Sequence, residues 1–260
     1  MESVQCGWRC DLQRFKIYEG AEVPPVALIP GMVKQGSIWS PEHGQLWMPS
    51  SRLITAKNLI MSDAQEELFK RWSAIQGSNR IIEFMAVGDG LTDPAVTDIA
   101  LTNELESKDI DQWDDALLTP DSSQLSTRRA ETTWLSLEAN GTLSELGLKF
   151  DDGSLVTHAL FKKLGISNIT QANPAVVTTV ESAHGLTTGD EIHITGVVGM
   201  TEVNDLTFNI TVVDADEFSL DGEDSTGHGA YVSGGNAYLV ITKTVSDVVQ
   251  TRYVLTFLNS

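Results

Sequence analysis

Two runs of acidic residues are the feature of this sequence best suited to hold a cation. Asp214-Ala215-Asp216-Glu217 and Asp221-Gly222-Glu223-Asp224 place six carboxylates within eleven positions. Calcium takes oxygen ligands, but an EF-hand loop has twelve residues with glycine at the sixth and glutamate at the twelfth. Neither run has that spacing. We therefore interpret both runs as solvated turns, with a weak surface Ca²⁺ site as the alternative.

The histidines and cysteines are the next candidates for metal binding. His184, His193 and His228 lie in the acidic segment without an H-x-H or H-E-x-x-H spacing, which indicates packing or turn roles. The two cysteines, Cys6 and Cys10, cannot complete a tetrahedral zinc site by themselves. We interpret them as free thiols, with a disulfide within the chain or between chains as the alternative. No metal is expected.

Enzymatic motifs are also missing from the sequence. No G-x-S-x-G nucleophile elbow occurs, and no pair of acidic residues stands out as the pair of a glycoside hydrolase. Gly88-Asp89-Gly90 is not followed by the glycine-paired helix of a dinucleotide site, so it is predicted to be a tight turn. We therefore expect no enzymatic activity and no cofactor.

The charge excludes several partners. Asp and Glu number 36 against 17 Lys and Arg, a net charge of −19. Such a surface does not neutralise phosphates, so nucleic acids and anionic membranes are not expected partners. The sequence also has no run of 18 apolar residues, so membrane insertion is not predicted. Its first fifteen residues contain no apolar run of the length that a secretory signal requires, so a secretory signal is not predicted.

The charge is also uneven along the chain. Residues 166–237 contain 11 acidic residues and no Lys or Arg, whereas the remaining residues contain 25 acidic and 17 basic ones. A change of composition within a chain is typical of a domain boundary. The segment 166–237 is therefore predicted to be a domain of its own.

One helix and many strands must position these groups. Ser62 and Gln65 form a candidate capping box, and apolar residues at helical spacing predict a helix over 63–76. Alternating patterns before turn residues predict strands, whereas the acidic stretch 100–128 is predicted to be a long loop with at most one short helix. The predicted strands outside the acidic segment cover 80–87, 134–139, 146–150, 154–161, 238–243 and 251–257.

The acidic segment has strands of its own at short, regular spacing, which favours a small antiparallel barrel or sandwich. The predicted fold class is therefore mainly β: an α+β host domain with one clear helix, plus a small inserted antiparallel β-barrel. The strands predicted in the segment are 175–180, 191–195, 207–213, 217–220 and 230–233.

Residues 1–50 are rich in proline, glycine and tryptophan and are predicted to be an extended N-terminal arm. Such a stretch either covers a neighbouring protein or packs on its own domain. Trp8, Trp39 and Trp47 are the candidate interface residues, because interfaces favour buried aromatic anchors.

Several short motifs of the host part occur in a distinctive order after the predicted helix. They are the turn Gly88-Asp89-Gly90, the step Asn103-Glu104-Leu105, the strand Glu145-Leu146-Gly147-Leu148 and the hairpin Asp151-Asp152-Gly153-Ser154-Leu155. This order resembles the N-terminal domain of bacteriophage tail-collar fibre proteins. This resemblance implies a virion structural protein of a phage tail, collar or neck, assembled in the bacterial host cytoplasm. It also implies a homo-oligomer, a trimer or a ring, that docks to other tail or neck proteins.

The acidic segment resembles a different family. Pro174-Ala175-Val176-Val177-Thr178, Ala183-His184-Gly185-Leu186-Thr187-Thr188-Gly189-Asp190 and Asp216-Glu217-Phe218-Ser219-Leu220 occur in the order found in the small β-barrel of the first catalytic-cysteine half-domain of ubiquitin-activating enzymes. No catalytic cysteine lies in the segment, so the resemblance implies the barrel alone.

Together these observations predict three parts. They are an arm over 1–50, a host domain over 51–165 and 238–260, and an inserted acidic barrel over 166–237. Insertion is tolerated at exposed loops whose ends lie close together. The expected function is self-assembly and docking in the phage tail. The alternative is a host-surface or glycan-binding module of the tail.

Overall fold

The protein is mainly β, with 53% strand and 5% helix, which confirms the predicted fold class. The computed structural model describes residues 5–18, 38–40, 45–50, 52, 54–57, 59–72, 80–114 and 125–258. The chain divides into two compact units. The host unit comprises Met1–Leu160 and Lys243–Ser260, and the barrel unit comprises Phe161–Thr242.

The host unit contains one described helix, α1, over Ser62–Trp72. Ser62 is its first helical residue rather than the predicted cap, and the side chain of Gln65 donates instead to the carbonyl of Ile60. The predicted helix residues 73–76 lie outside the described part of the chain. The strands that begin before the barrel unit are β1 Gln5–Tyr18, β2 Ile38–Ser40, β3 Gln45–Pro49, β4 Ile54–Lys57, β5 Leu59–Ile60, β6 Ile82–Gly88, β7 Glu104–Asp109, β8 Gln112–Asp114, β9 Leu125–Trp134, β10 Gly141–Leu143, β11 Glu145–Phe150 and β12 Leu155–Leu160.

All strands of the host unit except β10 form two antiparallel sheets. The first sheet has the order β2-β3-β1-β19-β9-β8, where β19 is Asp247–Leu258, and β4 also pairs with β1. The second sheet has the order β5-β12-β11-β6-β7. Since β1 pairs with β19 along twelve residues, the beginning and the end of the chain are held together by backbone hydrogen bonds.

Large buried side chains hold the host unit together, and one of them, Tyr253, connects its two sheets. Trp134 of β9 donates its indole N–H to Thr251 of β19 at 3.0 Å. The hydroxyl of Tyr253, also in β19, donates to the carbonyl of Leu146 in β11 at 3.0 Å. These aromatic side chains are fully buried, and their polar atoms are satisfied, as buried Trp and Tyr require.

The barrel unit is a closed antiparallel barrel of six strands. Along the sheet the order is β13-β14-β17-β16-β15-β18, and β18 pairs with β13 to close it. Buried and less buried residues alternate along β14 and along most of β15, which is the period-two pattern of strands with one face in a core. The strands are β13 Lys162–Ile169, β14 Val176–Thr179, β15 Glu191–Val198, β16 Leu206–Val212, β17 Glu217–Leu220 and β18 Ser233–Lys243.

Three predictions of local structure are wrong. The strand predicted over 230–233 is a loop up to residue 232, and β18 begins only at Ser233. Residues 135–140 form a turn instead of continuing a strand, because the carboxylate of Glu138 accepts the backbone N–H of Leu135 and Ala139 adopts a φ of 47°. The stretch 100–128 contains β7, β8 and the start of β9 instead of a long loop. Pairing with β6 stabilises β7 despite its many charged residues.

The domain division stays a prediction. It comprises an arm over 1–50, a host domain over 51–165 and 238–260, and an inserted barrel over 166–237.

Among the residues that the structure describes, there is no helix with the length and hydropathy of a membrane span.

Candidate functional site

The three tryptophans predicted as interface residues lie in the first sheet of the host unit. Trp8 is opposite Leu255, Trp39 is opposite Leu46, and Trp47 is in the strand next to both β1 and β2. Their backbones are therefore paired within the sheet. A role for these residues in contacts with other proteins stays a prediction.

Cys6 and Cys10 both lie in β1, four residues apart. A strand rises about 3.3 Å per residue, so their Cα atoms are about 13 Å apart. A disulfide spans at most about 7 Å between Cα atoms. The two cysteines therefore cannot bridge each other within this strand, and a disulfide between chains stays a prediction.

The histidines of the acidic segment are not brought together. His184 is buried next to Phe218, where Nε2 donates to the carbonyl of Asp214 at 3.0 Å and Nδ1 accepts the N–H of Leu186 at 2.9 Å. Nε2 of His228 lies 3.4 Å from Oε1 of Glu223 instead. In the part of the chain that the structure describes, no three His, Cys, Asp or Glu side chains converge on one metal position.

The Gly88-Asp89-Gly90 turn packs directly on a buried glutamate of the host unit. A Cβ atom on Gly88 would lie 2.5 Å from Oε1 of Glu145, and one on Gly90 would lie 2.4 Å from the same oxygen. Both positions therefore require glycine because of close approach. The turn was predicted from its residue types, but its contact with Glu145 was not.

Glu145 is fully buried and accepts three backbone N–H groups. They belong to Gly90 at 3.1 Å, Thr102 at 3.1 Å and Asn103 at 2.8 Å. Nε2 of His158 lies 2.7 Å from Oε2 of the same carboxylate. Burial favours the neutral acid, but these hydrogen bonds outweigh it and lower the pKa of Glu145.

The ring of His158 lies between two carboxylates. Its Nδ1 is 2.8 Å from Oδ2 of Asp98, and the side chain is 1% exposed. Burial opposes its charge, but the hydrogen bonds to Glu145 and Asp98 outweigh burial and raise the pKa of His158. We call Asp98, His158 and Glu145 the Glu145 cluster.

The Glu145 cluster is suited to hold the structure together rather than to transfer a proton to a substrate. Both ring nitrogens of His158 are engaged, and neither His158 nor Glu145 is exposed to solvent. A general acid or base must instead reach the proton of a substrate. The cluster was not found from the sequence, although a single histidine within the apolar strand β12 was the available signal.

A second polar group in the host unit is the ammonium of Lys243. The side chain is 1% exposed and donates to the carbonyl of Leu135 at 2.7 Å and to Oδ1 of Asn140 at 3.2 Å. Burial lowers its pKa, although the charges of Asp247, Glu138 and Glu106 oppose this effect. Lys243 therefore fixes the turn 135–140, where a strand had been predicted.

An open groove of about 450 Å³ also lies in the host unit, with Phe84 in its wall. Its two lysines are already bound to carboxylates. Lys108 contacts Glu138 at 2.9 Å, and Lys149 contacts Glu104 at 3.0 Å. The lysines are thus committed to internal ion pairs and are not arranged to bind an anion.

The two ends of the barrel carry different loops. Phe161 and Thr242 lie at the end where Glu191 pairs with Val240. At the opposite end, which we call the far end, Val198 pairs with Ser233. The far end consists of three loops, 170–175, 199–205 and 221–232.

The family model that matches this chain lies within the barrel unit. The family model of the Ubiquitin-activating enzyme E1 FCCH domain matches residues 172–241. Ubiquitin-like modifier-activating enzyme 6 of Mus musculus is 37% identical over 113 residues, which is 42% of this chain and 10% of that protein. The Homo sapiens protein of the same name is 38% identical over 117 residues, which is 43% of this chain and 11% of that protein. The chain thus spans about a tenth of the length of these relatives.

These findings overturn the interpretation as a phage tail-collar protein. Of the two resemblances, the one on the acidic segment leads to the family that the comparisons identify, and the tail-collar one is wrong. The virion location, the function in a tail, collar or neck, the trimer or ring, the phage and host-surface partners and the glycan-binding alternative are withdrawn with it. The physical reason is that its motifs are short turn signals, such as Gly88-Asp89-Gly90, which the packing against Glu145 explains without any common function.

Proposed function

We propose that this chain is a non-catalytic protein-binding module whose acidic barrel recognises a protein with a basic surface. The observation that carries the proposal is the charge of the barrel. Residues 166–237 contain 11 carboxylates and no Lys or Arg, and Asp190 is the one buried carboxylate among them. A surface of one sign favours partners of the opposite sign and speeds their association.

The relatives suggest which class of partner to test first. The family is named for an enzyme that activates ubiquitin, and the relatives are named for activating a ubiquitin-like modifier. A small ubiquitin-like protein with a basic face is therefore the proposed partner class of this barrel. Activation of that partner is not part of the proposal, because the chain corresponds to about a tenth of those enzymes.

The lack of catalysis is proposed on two grounds. The matched domain is a non-catalytic part of an enzyme. In the host unit, the Glu145 cluster engages both nitrogens of His158 with carboxylates and keeps them out of solvent. A group that acts as an acid or base on a substrate requires access to it.

A binding titration of the full chain tests the proposal. Ubiquitin and ubiquitin-like proteins, each titrated by calorimetry in about 0.05 M NaCl, are expected to include a binder whose affinity falls in about 0.5 M NaCl, because salt screens the charges. The matched probe is the same protein with its basic face neutralised by Lys→Gln substitutions, which is expected not to bind. Failure of every member of the class to bind at low salt would contradict the proposal.

A separate assay tests the proposed lack of catalysis. The full chain is incubated with ATP and a ubiquitin-like protein, and a thioester is sought on non-reducing gels. We expect none. A reductant-sensitive adduct that disappears in the Cys6→Ser and Cys10→Ser variants would instead identify the chain as an enzyme.

A further inference from the structure

The far end of the barrel combines exposed aliphatic side chains with carboxylates. Val198 is 51% exposed and Val232 is 69% exposed. The N–H of Val232 donates to the carbonyl of Val198 at 2.8 Å, so the two residues are neighbours. A Cβ atom on Gly199 would lie 2.7 Å from Cγ2 of Val232, which shows that this side chain lies directly over the glycine.

Carboxylates lie on two of the three loops of the far end, the same end of the barrel as this valine pair. They are not balanced by bases, because the loops 170–175, 199–205 and 221–232 contain no Lys or Arg. His228 is the one basic side chain there, and it is bound to Glu223. The carboxylates of the far end are Glu202, Asp205, Asp221, Glu223 and Asp224.

The three loops are fastened to one another by hydrogen bonds. The hydroxyl of Ser225, which is fully buried, donates to the carbonyl of Thr170 at 2.7 Å. Gln171 donates to the carbonyl of His228 at 2.7 Å. Glu202 accepts the N–H of Gly229 at 3.0 Å, which joins the second loop to the third. The far end is thus preorganised, and preorganisation lowers the entropy cost of binding.

We propose that the far end is a docking surface for a protein segment that places an apolar side chain on Val198 and Val232 and Lys or Arg side chains on the carboxylates of the far-end loops. Charge complementarity selects this occupant. A second copy of the barrel would bring five further carboxylates against these five, and like charges in contact are unfavourable. This surface lies at the end of the barrel opposite to Phe161 and Thr242. This inference rests on the proposed function, since it names the surface by which the barrel recognises its partner.

The test uses the full chain, labelled with ¹⁵N, and a short synthetic peptide in which lysines alternate with leucines. We expect chemical-shift changes on adding the peptide to concentrate in 198–206 and 221–233. Two control peptides separate the contributions, one with glutamate in place of lysine and one with glycine in place of leucine. The first is expected not to bind, and the second to bind roughly tenfold more weakly, since contact with the valines is lost.

Variants of the chain identify the surface. Val232→Ser is expected to weaken binding of the lysine-leucine peptide by roughly tenfold, whereas Val245→Ser, at an equally exposed valine of the host unit, leaves it unchanged. Asp205→Asn combined with Asp221→Asn removes two charges from the far end and is expected to weaken binding at low salt. The matched control, Glu181→Gln combined with Asp216→Asn, removes two charges from the opposite end.

Three results with the lysine-leucine peptide would overturn the docking surface. They are no binding of the lysine-leucine peptide, shift changes spread evenly over both ends of the barrel, and equal effects of the two double variants. The proposed function fails by a different result, namely the absence of binding by any ubiquitin-like protein. If such a protein binds and its shift changes map to 180–190 and 213–216, the proposed function stands and the far-end surface is wrong.

Discussion

Nε2 of His158 lies 2.7 Å from Oε2 of Glu145, and both side chains are buried. Because Nδ1 of the same ring faces Asp98 at 2.8 Å, both nitrogens point at carboxylates. A neutral imidazole has one N–H, so only the imidazolium donates to both partners. The pair joins neighbouring strands β11 and β12, and Glu145 extends the connection to the loops that contain Gly90 and Asn103.

The pH dependence of stability follows from this arrangement. The pKa of His158 is raised above 6.5, so its contribution is complete below pH 6.5 and is lost as the pH rises through the raised value. The pKa of Glu145 is lowered below 4.5, so its contribution is complete above pH 4.5 and is lost as the pH falls through the lowered value. The cluster is therefore expected to stabilise the host unit most between pH 4.5 and 6.5.

Urea unfolding at several pH values measures this effect. The difference in the free energy of unfolding between the native chain and His158→Gln isolates the contribution of the histidine from that of the other titrating groups. We expect this difference to decrease between pH 6 and about pH 9. A difference that stays constant over that range would contradict a charged His158.

Substitutions of the two partners are expected to have unequal costs. Glu145→Gln removes one of the two carboxylates that face the buried ring of His158. This substitution is expected to reduce the free energy of unfolding by about 3 kcal/mol. His158→Gln is expected to cost about 1–2 kcal/mol near neutral pH, because Glu145 keeps its three backbone donors. The double variant should cost less than the sum of the two, since the residues interact directly. Additive costs in the same urea experiments would show that the pair is not coupled.

The glycine of the G-D-G turn provides a test of close packing. Gly88→Ala would place a methyl group 2.4 Å from the carbonyl oxygen of Asn103 and 2.5 Å from Glu145, and it is expected to cost about 2–3 kcal/mol. Gly227→Ala is the control, because nothing lies within 4 Å of its Cβ position. Thermal unfolding followed by circular dichroism should show a lower melting temperature for the first variant alone. Equal melting temperatures would mean that the turn yields to the methyl group.

Removal of the barrel tests whether the host unit folds without it. Lys162 pairs with Leu239, so the strands that enter and leave the barrel are neighbours. Antiparallel partners have Cα atoms roughly 5 Å apart, and a short Gly-Ser linker spans that distance. The chain with 161–242 replaced by such a linker is expected to keep a cooperative thermal transition and a β-type circular dichroism spectrum. A spectrum of an unfolded chain would show that the host unit depends on the barrel.

Much of this architecture could be predicted from local pattern. Strand segments at short, regular spacing between turn residues located β15, β16 and β17 to within a few residues. Burial alternates with a period of two along most of β15 and β16, but not along β17. The turn at 135–140 could not be predicted in this way. The buried ammonium of Lys243, more than one hundred residues further along, binds the carbonyl of Leu135, and this contact does not affect local periodicity.

The sequence alone determined that the protein is mainly β and that its negative charge is concentrated in one segment without Lys or Arg, since both properties are sums over neighbouring residues. Tertiary structure alone decided which polar residues meet. Glu145 contacts residues 13, 42 and 55 positions away, because the register of β11 with β12 and β6 brings them to one point. It also decided that Val198 and Val232 are neighbours at the same end of the barrel as two loops that contain carboxylates. Strand pairing brings together residues that are far apart in the sequence. Composition and local spacing do not predict which residues these are.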